Sequence, residues 1–150
     1  MSECRDSVTD FFQEYHRRLD EALQGFRRSS DAGDGDAIDL LDQFAAGLRR
    51  HIAWEEGHLF PLFEEHTGMV IGGPTQVMRR EHRRIEQILG DIREAFQQGA
   101  RWILSQRWED LLELLGAHNT KEEQVLYPSI DNLLDAAACR ELFGRIRAEA

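Results

Sequence analysis

The sequence has 150 residues, of which 41% are hydrophobic and 31% charged, and its formal net charge is -10 with a pI near 5.0. These values are typical of one soluble domain, spanning residues 1–150, that is long enough to bury a core. The acidic balance argues against nucleic acid and anionic membrane surfaces as partners, because binding to them relies on Lys and Arg neutralising phosphates.

The first residues have no apolar segment typical of a secretory signal, and no apolar stretch approaches the ~20 residues of a bilayer-spanning helix. The two cysteines, Cys4 and Cys139, lack the spacing of a zinc ribbon or a disulfide scaffold. We therefore expect a reduced, cytoplasmic protein in which Cys139 is a small buried side chain.

Hydrophobic periodicity predicts four long helices and a short fifth, with no convincing strand. The first helix is expected from Ser7 or Thr9 to Arg28, and a loop rich in turn residues follows it. The second helix is expected from about Asp36 to His66.

A clear break precedes Pro74, a residue that suits the first turn of a helix. The remaining helices are expected at about 74–97, from 100 or 105 to 134, and at 136–148. Pro61 and Pro128 fall inside the second and fourth helices, where each removes a backbone donor and should kink its helix. Short connections favour antiparallel neighbours, so the sequence predicts an all-α, up-down-up-down four-helix bundle with a terminal brace or lid.

The pattern His-x-x-x-Glu-Glu-x-x-Leu-aromatic-Pro occurs twice, at His51–Pro61 in the second predicted helix and at His118–Pro128 in the fourth. An imidazole and a carboxylate four positions apart lie on one face of a helix, about 40° apart. Helices present pairs of metal ligands in this way. The two copies therefore predict that both helices contribute to one metal centre.

A second internal repeat relates the other two long helices, since Tyr15–Leu23 in the first matches Glu81–Leu89 in the third. Each copy places a single histidine on its helix, His16 in the first and His82 in the third. The chain is thus interpreted as two related helical hairpins, each with one lone His and one His-x-x-x-Glu pair.

The candidate ligands are imidazoles and carboxylates without a thiolate, which favours iron or manganese over structural zinc. Glu86, like Asp20, follows a lone histidine by four positions, although Asp20 could equally be a surface acid. Spacing prefers Glu122 to Glu123, which lies about 100° further round the helix, but a local bulge could bring Glu123 in. The full set is His16, His51, Glu55, His82, Glu86, His118, Glu122 and Glu123.

The alternative is a bundle whose histidines are only hydrogen-bonded core or surface groups. Four histidines at matching positions of two hairpins disfavour it. His58 has no counterpart in the repeat and is expected at the surface or behind the ligands, and His66 is interpreted as a structural group at a helix end. Tyr127 and Phe60 lie on about the opposite face from their histidines and are expected to pack.

These residues resemble the hemerythrin-like, or HHE cation-binding, family, from about Val8 to Leu134. The resemblance implies a four-helix bundle around a non-haem di-iron centre, oxo- or hydroxo-bridged and spanned by two carboxylates, in which manganese or zinc could substitute. The ligands that it implies are His16, His51, Glu55, His82, His118 and Glu122.

The chain departs from the oxygen-carrying members of that family. Where they have a second histidine on the third helix, this chain has Glu86, and their fourth-helix carboxylate corresponds to Glu123. A carboxylate in place of an imidazole adds negative charge beside the metal and favours its oxidised state. We therefore expect a protein closer to the branch linked to iron handling and to oxidative or nitrosative stress than to a reversible oxygen carrier.

Three functional hypotheses follow from the sequence. The first is a binding module or sensor for oxygen, nitric oxide or iron, and a sensor would need a partner protein, which the sequence neither indicates nor excludes. The second is a di-iron oxidoreductase that consumes peroxide or nitric oxide. The third is a helical scaffold whose metal serves only the fold.

Overall fold

A computed structural model describes residues 7–149 of the chain. The helices are α1 (Val8–Asp31), α2 (Ala37–Trp54), α3 (Phe60–Thr67), α4 (Pro74–Gln98), α5 (Arg101–Lys121), α6 (Tyr127–Leu133) and α7 (Ala136–Ala148), with π-helical turns at Glu55–Leu59 and Glu122–Leu126. Each π turn joins its neighbours without a break, so α2 with α3, and α5 with α6, form the second and fourth long helices. No strand occurs between residues 7 and 149. The predicted helical bundle with a short fifth helix is confirmed.

The ends of the helices follow from local chemistry. The Ser7 side chain accepts a hydrogen bond from the Asp10 amide at the start of α1. Gly99 ends α4 in the left-handed conformation with φ 69°, which side chains disfavour. Asp131 of α6 accepts hydrogen bonds from the Val8 and Thr9 amides, at 2.7 and 3.1 Å, and so fastens the first long helix to the fourth.

The two π turns lie immediately before the two prolines inside the long helices. Proline has no N–H to donate and its ring crowds the carbonyl four residues back, so a regular helix cannot pass through it unchanged. Here the Phe60 amide donates to the Glu55 carbonyl, and the Tyr127 amide donates to the Glu122 carbonyl, five residues back in each case. The kink predicted at Pro61 and at Pro128 is therefore a π turn with one extra residue, and it occurs in both helical hairpins.

Two hydrophobic clusters form the core, one towards each end of the bundle. The upper cluster joins α7 to the neighbouring ends of the long helices, and its largest fully buried side chains are Phe12, Phe60 and Tyr127. The lower cluster is built mainly from α1, α2, α4 and α5 around Phe26 and Phe44. Histidines and glutamates lie between the two clusters, so apolar side chains close this polar layer on both sides.

Two features of the structure bear on where the protein resides: the state of its cysteines and the character of its helices. Cys139 is buried, as expected, but it is disulfide-bonded, which corrects the expectation of a reduced thiol there. Cys4 lies outside the described residues. Among residues 7–149, no helix has both the length and the apolar character needed to cross a bilayer.

Candidate metal centre

All four long helices contribute buried polar side chains to the layer between the clusters. We call this set the polar layer, and it consists of His16, His51, Glu55, His82, His118 and Glu122. Glu55 and Glu122 are 0% exposed, and no histidine of the set is more than 7% exposed. Burial of ionisable groups at this density is unfavourable unless they are paired or bound to a cation.

One group of candidate ligands gathers around the third and fourth long helices. It comprises Glu55, His82, His118 and Glu122, each of which offers a ligand atom within 4.8 Å of the others. Nε2 of His82 lies 3.3 Å from Oε1 of Glu55, and Nε2 of His118 lies 3.1 Å from Oε1 of Glu122. Two imidazoles and two carboxylates therefore face a common point.

A second group joins the first and second long helices to the fourth. It comprises His16, His51 and Glu122, again with ligand atoms within 4.8 Å of one another. The Nε2 atoms of His16 and His51 are 3.0 Å apart, and His16 Nε2 lies 3.3 Å from Oε1 of Glu122. Glu122 belongs to both groups, so one carboxylate can span two ions.

The unpartnered atoms of the polar layer fit bound cations. Nε2 of His82, Oε1 of Glu55 and both carboxylate oxygens of Glu122 are buried without a hydrogen-bond partner among the described residues. Their neighbours are within ion-pair distance but do not donate in hydrogen-bond geometry. Two donors bound to one ion at about 2.1 Å and at right angles lie about 3 Å apart, which matches the observed spacings. The donor set therefore fits divalent metal ions.

Outer carboxylates orient three of the four histidines. Nδ1 of His82 lies 2.7 Å from Glu56, Nδ1 of His118 lies 2.9 Å from Glu81, and Nδ1 of His16 lies 3.3 Å from Glu123. Such contacts fix the ring and its tautomer so that Nε2 faces the metal. Glu123, the weaker candidate ligand, thus lies behind His16 and belongs to neither group of ligand atoms.

The second glutamate of each motif copy has the same role in both hairpins. Glu56 contacts the lone histidine of the other hairpin, His82, and Glu123 contacts the lone histidine His16. This orienting role was not predicted from the sequence for Glu56 or Glu81, although the repeated Glu-Glu pair of the motif was a signal for Glu56. Arg83 donates to both oxygens of Glu56, so this outer carboxylate is itself held in place.

Tyr127 corrects the expectation of a packing group turned away from the histidines. Its hydroxyl donates to Oε2 of Glu55 at 3.0 Å and lies 3.3 and 3.4 Å from Nε2 of His16 and His51. The extra residue in the π turn sets the following helix back by about 100°, which brings Tyr127 inwards. Phe60, its counterpart in the other half, stacks on His82 and has no hydroxyl to offer.

The remaining candidates lie away from the polar layer. Glu86 is partly exposed, its Oε1 is 4.0 Å from Arg49, and it belongs to neither group of ligand atoms. The negative charge expected from Glu86 beside the metals is therefore not placed there. Asp20 is exposed, His58 pairs with Glu149 at 3.0 Å, and the Nδ1 atom of His66 contacts the carbonyl of Leu62.

The metal-free histidines have unequal proton affinities. Burial lowers the pKa of His118, but the close contact with the negative charge of Glu122, together with Glu55 and Glu81, outweighs it and raises the pKa from 6.5 to about 9. The pKa values of His16 and His82 are also raised, because nearby carboxylates outweigh burial. Burial and the charge of His16 hold the pKa of His51 well below its ordinary value.

The affinity for a divalent metal is expected to rise with pH up to about pH 9, by about tenfold per unit for each histidine that must lose a proton. An ion needs the lone pair on Nε2 of His118, and at neutral pH the raised pKa keeps this imidazole protonated. Protons therefore compete with the metal below pH 9, and the gain ends once the histidine is neutral. Titrations against a chelator of known pH dependence measure this, and a flat or falling profile would contradict it.

Tyr127→Phe is expected to destabilise the metal-free protein by about 1–3 kcal/mol, because it leaves a fully buried carboxylate oxygen of Glu55 without its donor. The matched control is Tyr15→Phe, whose hydroxyl donates only to a part-buried backbone carbonyl, that of Gly47. Urea unfolding with chelator present measures both changes. Equal losses of unfolding free energy in the two variants would show that the hydrogen bond from Tyr127 to Glu55 contributes no more than that from Tyr15 to Gly47.

Comparison with known proteins agrees with this geometry. A family model described as "Hemerythrin HHE cation binding domain" matches residues 7–149, which include every residue of the polar layer. No curated protein and no solved structure gave a significant match to the chain.

Proposed function

Because the chain belongs to the hemerythrin HHE cation-binding family, we propose that it is a non-haem di-iron protein. In this proposal it binds or senses oxygen, nitric oxide or iron itself, in iron handling or in the response to oxidative or nitrosative stress. The observation that carries the proposal is the fully buried Glu122, whose carboxylate belongs to two groups of candidate ligands at once.

In this proposal the two ions occupy different parts of the bundle. His82, His118 and Glu55 would hold one ion together with Glu122, and His16 and His51 would hold the other with the same Glu122. Mixed imidazole and carboxylate donors without thiolate suit iron, and manganese or zinc could occupy the same donors. Oε1 of Glu55 lies 3.0 Å from Nε2 of His51 as well as 3.3 Å from Nε2 of His82, so this carboxylate, like that of Glu122, could span the two ions.

When bound, a pair of irons would supply reversible electron transfer and open positions for a small molecule. The chain itself supplies the surroundings. The upper and lower clusters cover the polar layer towards the two ends of the bundle, and the outer carboxylates of Glu56, Glu81 and Glu123 hold the imidazoles in position. Burial and the charges of Glu55 and Glu122 raise the pKa of Tyr127 well above its usual range, so its hydroxyl stays protonated.

The second candidate function is a di-iron oxidoreductase that consumes peroxide or nitric oxide. The hydroxyl of Tyr127 supports this alternative, because this buried proton donor lies within 3.4 Å of two candidate ligands, His16 and His51. This hydroxyl could donate a hydrogen bond, or give a proton, to a substrate held beside it. A binding protein and an enzyme then differ only in whether the bound molecule is turned over.

Adding nitric oxide or peroxide to anaerobically iron-loaded protein separates the two functions. We expect the optical change to saturate near one equivalent of nitric oxide per pair of irons, with no continuing consumption. Catalytic loss of either molecule would favour the oxidoreductase. The matched controls are His118→Ala, which removes a buried candidate ligand, and His66→Ala, which removes an exposed histidine. No optical response in protein with two irons per chain would contradict the proposal.

A further inference from the structure

A groove between α1 and α5 leads from the surface to the polar layer. Its volume is about 610 Å³, and its lining includes all four histidines of the layer, His16, His51, His82 and His118. The central carboxylates of Glu55 and Glu122 and the hydroxyl of Tyr127 are not part of the lining. The groove therefore reaches the candidate metal centre from its imidazole side, away from the tyrosine.

Apolar side chains form part of the wall of the groove. They are Leu19, Leu23, Phe44, Leu48, Leu112 and Leu115. Leu112 is 37% exposed although it lies beside buried aliphatic neighbours, so the wall continues to the surface. Apolar side chains around a few convergent polar groups are typical of sites for small organic molecules.

The size of the groove exceeds what the proposed gaseous ligands need. Pockets for organic ligands have volumes of about 300–1,000 Å³, and this groove lies within that range. One water molecule takes up about 30 Å³ of liquid, and a diatomic gas is of similar size. Oxygen or nitric oxide would leave most of the groove unfilled, so the space suits a larger molecule.

The rim of the groove is acidic. Asp10, Glu14, Asp20 and Glu123 line it together with the cation Arg17, whereas the histidines lie at the inner end of the groove. The guanidinium of Arg17 already donates to Glu14 and Glu21 on its own helix. An anionic head group would therefore meet a surplus of carboxylates, whereas a neutral or cationic head group would not.

We propose that this groove binds a largely apolar organic molecule, with its neutral or cationic head group at the acidic rim and its apolar chain along the leucine and phenylalanine side chains of the wall. Occupation of the groove needs no bound metal and is therefore independent of the proposed function. The chain would then bind an organic substrate or effector in addition to the small gaseous ligand of the proposed function.

Three probes with one chain length test the head-group preference: decan-1-ol, decylammonium and decanoate. We expect the first two to bind to metal-free protein, with amide chemical-shift changes confined to residues along α1 and α5 beside the groove. Decanoate should bind at least about tenfold more weakly, because its carboxylate faces those of the rim. Decanoate binding as tightly as decylammonium would overturn the assigned class.

Gly116 provides a variant that fills the groove. It lies in α5 in the lining, and a Cβ built there meets nothing within 4 Å, so Gly116→Leu extends into open space. Gly144→Leu is the matched control, because Gly144 also lies within a helix with open space around it but outside the lining. We expect Gly116→Leu to weaken decan-1-ol binding at least about tenfold, and Gly144→Leu to leave it unchanged.

A second variant tests the same groove in case Gly116→Leu does not fold. Leu112→Arg places a cation on the exposed wall, and it should weaken decylammonium binding more than decan-1-ol binding. Equal affinity of wild type, Gly116→Leu and Leu112→Arg for all probes would overturn the proposal. Probe binding in a chain that takes up no iron would sustain this inference while contradicting the proposed function, so the two failures are distinguishable.

Discussion

Glu122→Gln is expected to reduce bound metal from two ions per chain to fewer than one. Glu122 is fully buried, and its Oε1 lies 3.1 Å from Nε2 of His118 and 3.3 Å from Nε2 of His16. Both groups of candidate ligands contain it, so its loss removes an anionic donor from each ion. The substitution keeps the side-chain volume and removes the charge, so the loss reports on ligation and not on packing. Elemental analysis after metal loading measures the stoichiometry.

Glu123→Gln is the matched control at the adjacent position. Glu123 contacts only the Nδ1 side of His16 and is 23% exposed, so its loss weakens the orientation of one ring. Such outer partners are worth about 10–100-fold in affinity, and at saturating metal the variant should still hold two ions. Equal stoichiometry in Glu122→Gln and Glu123→Gln would contradict the assignment, as would two ions per chain in His118→Ala.

Removing the metals is expected to lower the midpoint of thermal unfolding by roughly 15–30 °C while most of the helicity remains. An ion present at about a thousandfold its dissociation constant stabilises the folded state by about 4 kcal/mol, and two ions by about twice that. For a chain of this size each kcal/mol moves the midpoint by about 2–4 °C. The upper and lower clusters need no metal, so the metal-free bundle should stay folded. Circular dichroism with and without chelator measures both quantities.

The Glu122→Gln variant serves as the control for this experiment. Its midpoint should change little on adding chelator, because it has little metal to lose. Complete unfolding of the wild type on metal removal would favour the hypothesis of a scaffold with a purely structural metal. An unchanged midpoint in the wild type would show that metals do not bind to the folded chain with useful affinity.

The sequence predicted the helices and the convergence of the buried imidazoles, because both depend on periodicity. Apolar side chains recurring at helical spacing fix which face of each long helix is buried. His16, His51, His82 and His118 lie on those faces, at matching places in two repeats. Burial and proximity then follow from the bundle itself, without knowledge of any contact in detail.

The orientation of Tyr127 could not be predicted in the same way. An uninterrupted helix places it on about the opposite face from His118, nine residues earlier in the chain. Pro128 predicts a distortion of the helix, but either a kink or a π turn can accommodate a proline. Which of the two forms depends on packing in the bundle. The π turn at Glu122–Leu126 changes the phase and brings the hydroxyl to Glu55.

The roles of the outer carboxylates depended on contacts between helices. Glu86 lies one helical turn from His82 and was preferred on spacing, yet the structure places it beside Arg49. Glu56, on a different helix, contacts His82 instead. The rotation and register of neighbouring helices decide which acid meets which imidazole, and these depend on packing across the whole bundle.

Anomalous diffraction from crystals of iron-loaded protein tests the central claim most directly. We predict two iron peaks per chain inside the polar layer, roughly 3–4 Å apart, with Glu122 between them and two imidazoles on each. Iron peaks only at the surface would contradict the account. So would a polar layer without anomalous signal, in which the imidazoles and carboxylates bind one another.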